Sequence, residues 1–260
     1  MTAVRLHTGW ACRDGWTSLI QQPRLLLGFS AASLGMHLLG WALFAGAEAV
    51  ESGVLAALLH VVGLGLYSGS LLWMVEGLSR AGLARMQGTA LQWDELMGWP
   101  SHSIRRLVIC LINLAAALAA TAAITFVLWS LLLFLLPAMS VVPALLGLIA
   151  AAGLCLSQLF APCLLLDTRL SPAAIFRQGA LLLEHHWAGL LLLCGALAGI
   201  LLSPLLLGLV AEALVQGLGV AVTALVMVVA LPLSATTVTA AYQQLSPEVQ
   251  ARVGIRRAVR

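Results

Sequence analysis

The residues of this sequence best able to do chemistry are two histidines in long apolar stretches. His37 lies near the middle of the first stretch, and His60 lies in the first half of the second. Imidazole can carry protons near neutral pH and can ligate haem iron or chlorophyll magnesium. If the two stretches pair as antiparallel helices, the imidazoles could approach one another and form such a site. The alternative is that each is a neutral imidazole hydrogen-bonded to a neighbouring helix.

The familiar catalytic and metal-binding motifs are missing from the sequence. It has no Gly-x-x-x-x-Gly-Lys loop, no H-E-x-x-H, no G-x-S-x-G and no Cys/His cluster. The five cysteines form no C-x-x-C pair and mostly lie in apolar runs, so we interpret them as small buried hydrophobic residues. We therefore expect a non-enzymatic protein without catalytic residues, a metal or a cofactor.

The composition predicts that these histidines lie within a membrane. Of 260 residues, 62% are hydrophobic and only 9% are charged, with a mean hydropathy of +1.04. Soluble domains have roughly 25% charged residues, so lipid must surround most of this chain. We predict an all-α integral membrane protein with one membrane domain (1–243) and a basic tail (244–260). The six predicted spans are 25–47, 53–75, 107–136, 143–166, 188–210 and 215–239.

The basic residues predict the orientation. All 13 are arginines, and they precede the first span, follow the last span, or lie in the second and fourth connections. The other connections contain Glu48, Glu51 and Glu212 and no base. By the positive-inside rule, both termini are expected in the cytoplasm. Because the arginine-free connections are short, the spans should form three hairpins.

The segments before the first, third and fifth spans predict helices lying along the membrane surface. Each has an aromatic residue near the start of its span and arginine close by, as is typical of contact with lipid headgroups. This recurring pattern has two interpretations. Either the chain contains three structural repeats, or any helix that enters the membrane from the inner leaflet tends to carry tryptophan and arginine at that point. The residues predicted to bind membrane lipids through their headgroups are Arg24, Arg105, Arg106, Arg169, Arg177, Trp16, Trp99 and Trp187.

Proline and glycine spacing predicts the shape and packing of the helices. Pro162 should kink the fourth span before the chain leaves the membrane, and Ser171 and Pro172 are typical of a new helix start. Gly65 and Gly69, and Gly195 and Gly199, have the small-xxx-small spacing that permits close helix contact, within one chain or in a homo-oligomer.

Three short stretches carry a resemblance to a known group of proteins. They are "FAPCLLLD" followed by "LSPAAIF", "GWTSLIQQPRLLL" near the start, and "LPLSATTVTAAYQQL" near the end. Together they resemble six-span bacterial inner-membrane proteins related to the membrane domain attached to some glycerophosphodiester phosphodiesterases. The resemblance implies a six-helix membrane fold. It does not imply phosphodiesterase activity, because no catalytic domain accompanies these stretches.

Three functions fit the sequence. The leading hypothesis is a membrane component that organises lipid or docks onto another membrane protein, since the sequence offers a smooth apolar exterior and an arginine-rich face. The second is a small transporter for an apolar or amphiphilic compound, based on His37 and Pro162. The third is a pigment- or haem-binding subunit that uses His37 or His60. No basic domain outside the membrane is large enough to bind nucleic acid.

Overall fold

A computed structural model describes residues 6–89, 91–98, 101–135, 139–168 and 170–258, with side chains as far as residue 246. Over these residues the chain is helical, with short connections and no strand. One 3₁₀ turn, Ala47–Ala49, follows α2. The helices are α1 (Thr8–Gln21), α2 (Pro23–Gly46), α3 (Gly53–Met86), α4 (Trp93–Met97), α5 (Ser101–Leu135), α6 (Val141–Ser157), α7 (Ala161–Asp167), α8 (Pro172–Leu214) and α9 (Leu218–Ala258).

Six helical segments are long and apolar enough to cross a membrane, which confirms the predicted all-α class and the number of spans. Each overlaps one of the predicted spans, and several are much longer than the roughly 20 residues that a bilayer requires. The surface helix predicted before the fifth span is continuous with it in α8, through a bend at His186. The segments are Pro23–Ala49, Gly53–Met86, His102–Phe134, Val141–Asp167, Pro172–Leu214 and Leu218–Ser246.

Helices that follow one another in the chain pack together. α2 lies against α3, α5 against α6, and α8 against α9. The α9 helix also contacts α1, α2 and α3, so it occupies the centre of the bundle. On the other side, α8 contacts α5 and α6. We use the term arginine end for the end of the bundle at which α2, α5 and α8 begin and α3, α7 and α9 end.

Close glycine contacts join these pairs away from the arginine end. A Cβ atom on Gly40 of α2 would lie 2.5 Å from the backbone nitrogen of Tyr67 on α3. One on Gly63 of α3 would lie 2.6 Å from that of Phe44, so the two backbones touch. In the other pairs Gly147 meets Thr125, and Gly208 and Gly219 meet across α8 and α9.

Three of the glycines singled out by their spacing in the sequence do not make contacts within the described part of this chain. A Cβ atom on Gly65, Gly195 or Gly199 would meet nothing within 4 Å outside its own helix. These glycines therefore lie on faces that the described part of the chain leaves uncovered. Small-residue spacing is frequent by chance in a glycine- and alanine-rich sequence, and it does not specify which helix face is packed.

The connection between α8 and α9 is fixed by Glu212. Its carboxylate accepts the backbone N–H groups of Gly217 and Gly219, both at 2.9 Å. Gly217 has a φ of +86°, which favours glycine because it has no side chain. Glu212, in the last turn of α8, thus binds N–H groups at the start of α9, where the helix dipole favours negative charge.

Buried side chains are concentrated at the arginine end. The largest cluster combines residues of α7, α8 and the last third of the α9 span, and it includes Phe160, Ile175 and Leu182. Glycines on two other helices let α9 pack closely in this core. Gly15 of α1 contacts Thr237, and Gly82 of α3 contacts Thr239. The buried residues of α9 in this region are Thr236, Thr237, Thr239, Ala240, Ala241, Tyr242 and Leu245.

The contact between α2 and α3 can be tested by adding one methyl group. We expect Gly40→Ala to lower the free energy of unfolding by about 1–3 kcal/mol, because the methyl group would overlap the α3 backbone. Gly35→Ala is the matched control on the same helix, where a Cβ atom meets nothing within 4 Å. Reversible denaturation in detergent measures both variants. Equal effects of the two substitutions would contradict the close contact.

Candidate functional site

A basic pocket lies at the arginine end, between the start of α5 and the start of α8. Its volume is about 590 Å³. Three basic side chains of α5 lie on one side, and the residues that begin α8 lie on the other. The pocket is lined by His102, Arg105, Arg106, Ile109, Leu170, Ser171 and Pro172. It therefore combines cationic groups with an apolar wall, which is the chemistry that an anionic amphiphile requires.

The two adjacent arginines, Arg105 and Arg106, differ in exposure and in hydrogen bonding. Arg106 is half-buried and donates hydrogen bonds from its guanidinium to the carbonyl oxygens of Leu165, at 3.3 Å, and Leu170. It therefore ties α5 to the connection between α7 and α8. Arg105 is exposed and makes no hydrogen bond or ion pair with any residue that the structure describes. Its donors are available to a ligand in the pocket.

The wall opposite these arginines is held by Asp167, the last residue of α7. Tyr242 of α9 is 0% exposed and donates its hydroxyl to one Asp167 carboxylate oxygen at 2.8 Å. Gln87, just after α3, donates to the other oxygen at 3.4 Å. The side chain of Ser171 then caps α8 by accepting the N–H of Ala174 at 3.4 Å. The connection that lines the pocket is thus fixed by α3, α5 and α9.

Pro162 lies in the first turn of α7, just after an interruption of the fourth span. The α6 helix ends at Ser157, and α7 begins at Ala161. A proline clashes with the carbonyl of the residue four positions earlier, which here is Gln158. The Gln158 side chain donates to the backbone of Phe176 at 3.3 Å, so the interruption binds the fourth span to α8.

The other predicted headgroup residues lie outside the pocket. Arg24 is exposed in the first turn of α2, and Arg177 is exposed on α8. Trp16 is 50% exposed and Trp187 is 61% exposed. The predicted residues Trp99 and Arg169 lie outside the described residues.

The two membrane histidines have separate partners. His37 Nδ1 lies 3.1 Å from the Tyr67 carbonyl oxygen and 3.3 Å from Ser70 Oγ, both on α3. His60 Nδ1 lies 2.9 Å from the carbonyl oxygen of Ala56 in its own helix, and its ring packs edge-on against Phe44. The structure does not bring the two imidazoles together as the hairpin argument suggested. Among the described residues, no three His, Cys, Asp or Glu side chains could jointly hold a metal ion.

Comparison of the chain with models of protein families, with curated proteins and with solved structures found no match. The site must therefore be interpreted from its own geometry. The sequence indicated Arg105 and Arg106, but not that the start of α8 faces them. Asp167 and Tyr242 stood in two stretches that carried the resemblance, and nothing in the sequence showed that they touch.

The hydrogen bond between Tyr242 and Asp167 can be tested by removing one oxygen atom. We expect Tyr242→Phe to lower the free energy of unfolding by about 2 kcal/mol, because a buried hydrogen bond to a charged group is lost. Tyr67→Phe is the control, since the Tyr67 ring is partly exposed on α3 and its hydroxyl has no partner among the described residues. A double-mutant cycle with Asp167→Asn measures the coupling. Additive effects would show that the two side chains do not interact.

Proposed function

We propose that this chain is a non-enzymatic membrane protein that organises lipid by binding anionic phospholipid headgroups in the basic pocket. The observation that carries the proposal is the pocket of Arg105, Arg106 and His102 beside the apolar side chains of Ile109 and Leu170. A phosphate group fits the donors, and the first carbons of a lipid fit the apolar wall.

The depth of the pocket favours lipid over a soluble anion. It lies where the apolar segment His102–Phe134 begins, which is the depth of the headgroups if this segment crosses the bilayer. Guanidinium binds phosphate through paired N–H groups and loses less hydration than an ammonium group does. Arg105 supplies this group, and Arg106 keeps the pocket wall in place.

The proposal includes an orientation. The arginine end would face the cytoplasm of a bacterial cell, with the chain folded as three hairpins in the inner membrane. The segregation of the arginines supports this orientation. The α1 helix would lie along the headgroups, since it buries Gly15 and Leu19 against the bundle and exposes Trp10, Trp16 and Ile20.

A relationship to the six-span bacterial proteins that the sequence resembles is part of the same proposal. Two of the resembling stretches meet in space, because Asp167 ends one and Tyr242 lies in the other. A contact between motifs that are far apart in the chain is expected if they belong to one conserved structural unit.

Lipid binding can be tested with two charge-matched variants. We expect Arg105→Gln to weaken binding of phosphatidylglycerol about tenfold, because one charge-assisted hydrogen-bond donor set is lost. Arg24→Gln removes the same charge from the same end of the bundle outside the pocket, and it should leave most of the binding intact. Native mass spectrometry with phosphatidylglycerol and phosphatidylcholine in detergent measures both.

Other results of that experiment would point elsewhere. Equal weakening by the two variants would mean that the lipid responds to net charge and not to the pocket. A stoichiometric protein that stays bound in place of lipid would favour docking onto another membrane protein.

The orientation can be tested separately in a variant without the native cysteines. We expect Gln87→Cys to be shielded from a membrane-impermeant maleimide added to intact cells, and Glu51→Cys to be labelled. Both positions are exposed in the structure, and they lie at opposite ends of α3. The reverse labelling pattern would show that the arginine end faces outward.

A further inference from the structure

Three polar atoms are buried without a partner between α2 and α3. They are the hydroxyl oxygen of Ser30, the indole nitrogen of Trp73 and the carboxylate oxygen Oε2 of Glu76, and none has a hydrogen-bond partner in the described structure. Ser30 is 0% exposed, and Glu76 is 2% exposed. Within a membrane bundle no bulk water compensates such groups, so they require an explanation.

The three residues lie on turns of α2 and α3 that face each other. Phe29 packs its ring edge-on against Trp73, with the ring centroids 4.8 Å apart. The same ring also contacts Gly77, where a Cβ atom would overlap it. The turn of α2 that contains Phe29 and Ser30 therefore lies against the turn of α3 that runs from Trp73 to Gly77.

An ion pair lies on the side of this layer nearer the arginine end. The other carboxylate oxygen of Glu76 accepts two hydrogen bonds from the Arg80 guanidinium. Arg80 also donates to the Glu95 carbonyl oxygen on α4 at 3.0 Å. The Glu76 side chain is 2% exposed and the Arg80 side chain 27% exposed, so the ion pair extends from the buried layer toward the arginine end.

The opposite side of the layer is closed. There His37 contacts Tyr67 and Ser70, and beyond them the α2 and α3 backbones touch at Gly40 and Gly63. A small molecule that reaches Glu76 from the arginine end would pass Arg80 and α4.

We propose that Ser30, Trp73 and Glu76 form an internal water-binding site that exchanges with the arginine end. The indole N–H can only donate, the carboxylate oxygen can only accept, and the hydroxyl can do both. Water complements all three. Arg80 already balances the charge of Glu76, so a neutral ligand fits better than a cation. Bound water would also solvate the ion pair inside the span, where lipid cannot.

Hydroxyl-radical footprinting of the full chain in lipid nanodiscs tests the site. X-ray pulses generate radicals from bound water, so a buried side chain next to water is oxidised although it is not exposed. We expect Trp73 to be oxidised several-fold faster than Tyr242, which is also buried (0% exposed against 4% for Trp73) but has its hydroxyl bonded to Asp167.

A second experiment measures whether the substitution Ser30→Ala raises or lowers the unfolding midpoint. If water bonds to Ser30, Ser30→Ala should lower the unfolding midpoint relative to Ser33→Ala; in a dry layer it should raise the midpoint by removing an unpaired hydroxyl. Ser33 is the matched control because it is equally buried and bonds to carbonyls of its own helix, at 2.9 and 3.1 Å. Either slow oxidation of Trp73 or a raised midpoint for Ser30→Ala would overturn the proposal.

Discussion

The hydrogen bond between Tyr242 and Asp167 connects the centre of the bundle to the wall of the basic pocket. Tyr242 lies in the most buried part of α9, where its hydroxyl has no access to water, so its partner must come from the protein. Asp167 supplies that partner, and this holds the end of α7 in place. The backbone on either side of Asp167 presents the carbonyls of Leu165 and Leu170 that Arg106 binds. The position of the pocket wall therefore depends on a contact in the core.

The two ends of the bundle are stabilised by different physical effects. Between apolar helices in lipid there is no hydrophobic force, so close contact must come from small residues that bring backbones together. Gly40 and Gly63 do this for α2 and α3. At the arginine end, by contrast, large apolar side chains such as Phe160 and Leu182 are buried. The buried core is accordingly concentrated at that end.

The sequence predicted those features that depend on composition along the chain. Six spans follow from hydropathy, because a helix that crosses lipid must be apolar for most of its length. The sequence could not predict which residues meet across the bundle. The contact of Gly40 with Gly63 and that of Asp167 with Tyr242 depend on how helices rotate against each other. Small-residue spacing does not determine that rotation, and Gly65 and Gly199 accordingly meet no other helix of the described chain.

The sequence also could not predict where the fourth span is interrupted between α6 and α7. A proline such as Pro162 indicates that a helix is disturbed, but not where the chain bends. In the structure the bend precedes it, at the carbonyl that the proline ring would contact. The burial of Glu76 also could not be predicted. Its pairing with Arg80 is consistent with their spacing of four residues, whereas its 2% exposure depends on how α3 packs against its neighbours.

The positive-inside rule treats arginines as equivalent, and the structure divides them into two groups. Adjacent residues on a helix point about 100° apart, so Arg105 and Arg106 cannot both face the bundle. Arg106 faces inward and donates to two backbone carbonyls. Arg80 likewise binds within the protein, since it donates to the Glu76 carboxylate and to the Glu95 carbonyl. Arg105 is exposed and bonds to no residue that the structure describes. Charge at this end thus contributes both to the assembly of the bundle and to the proposed binding of lipid.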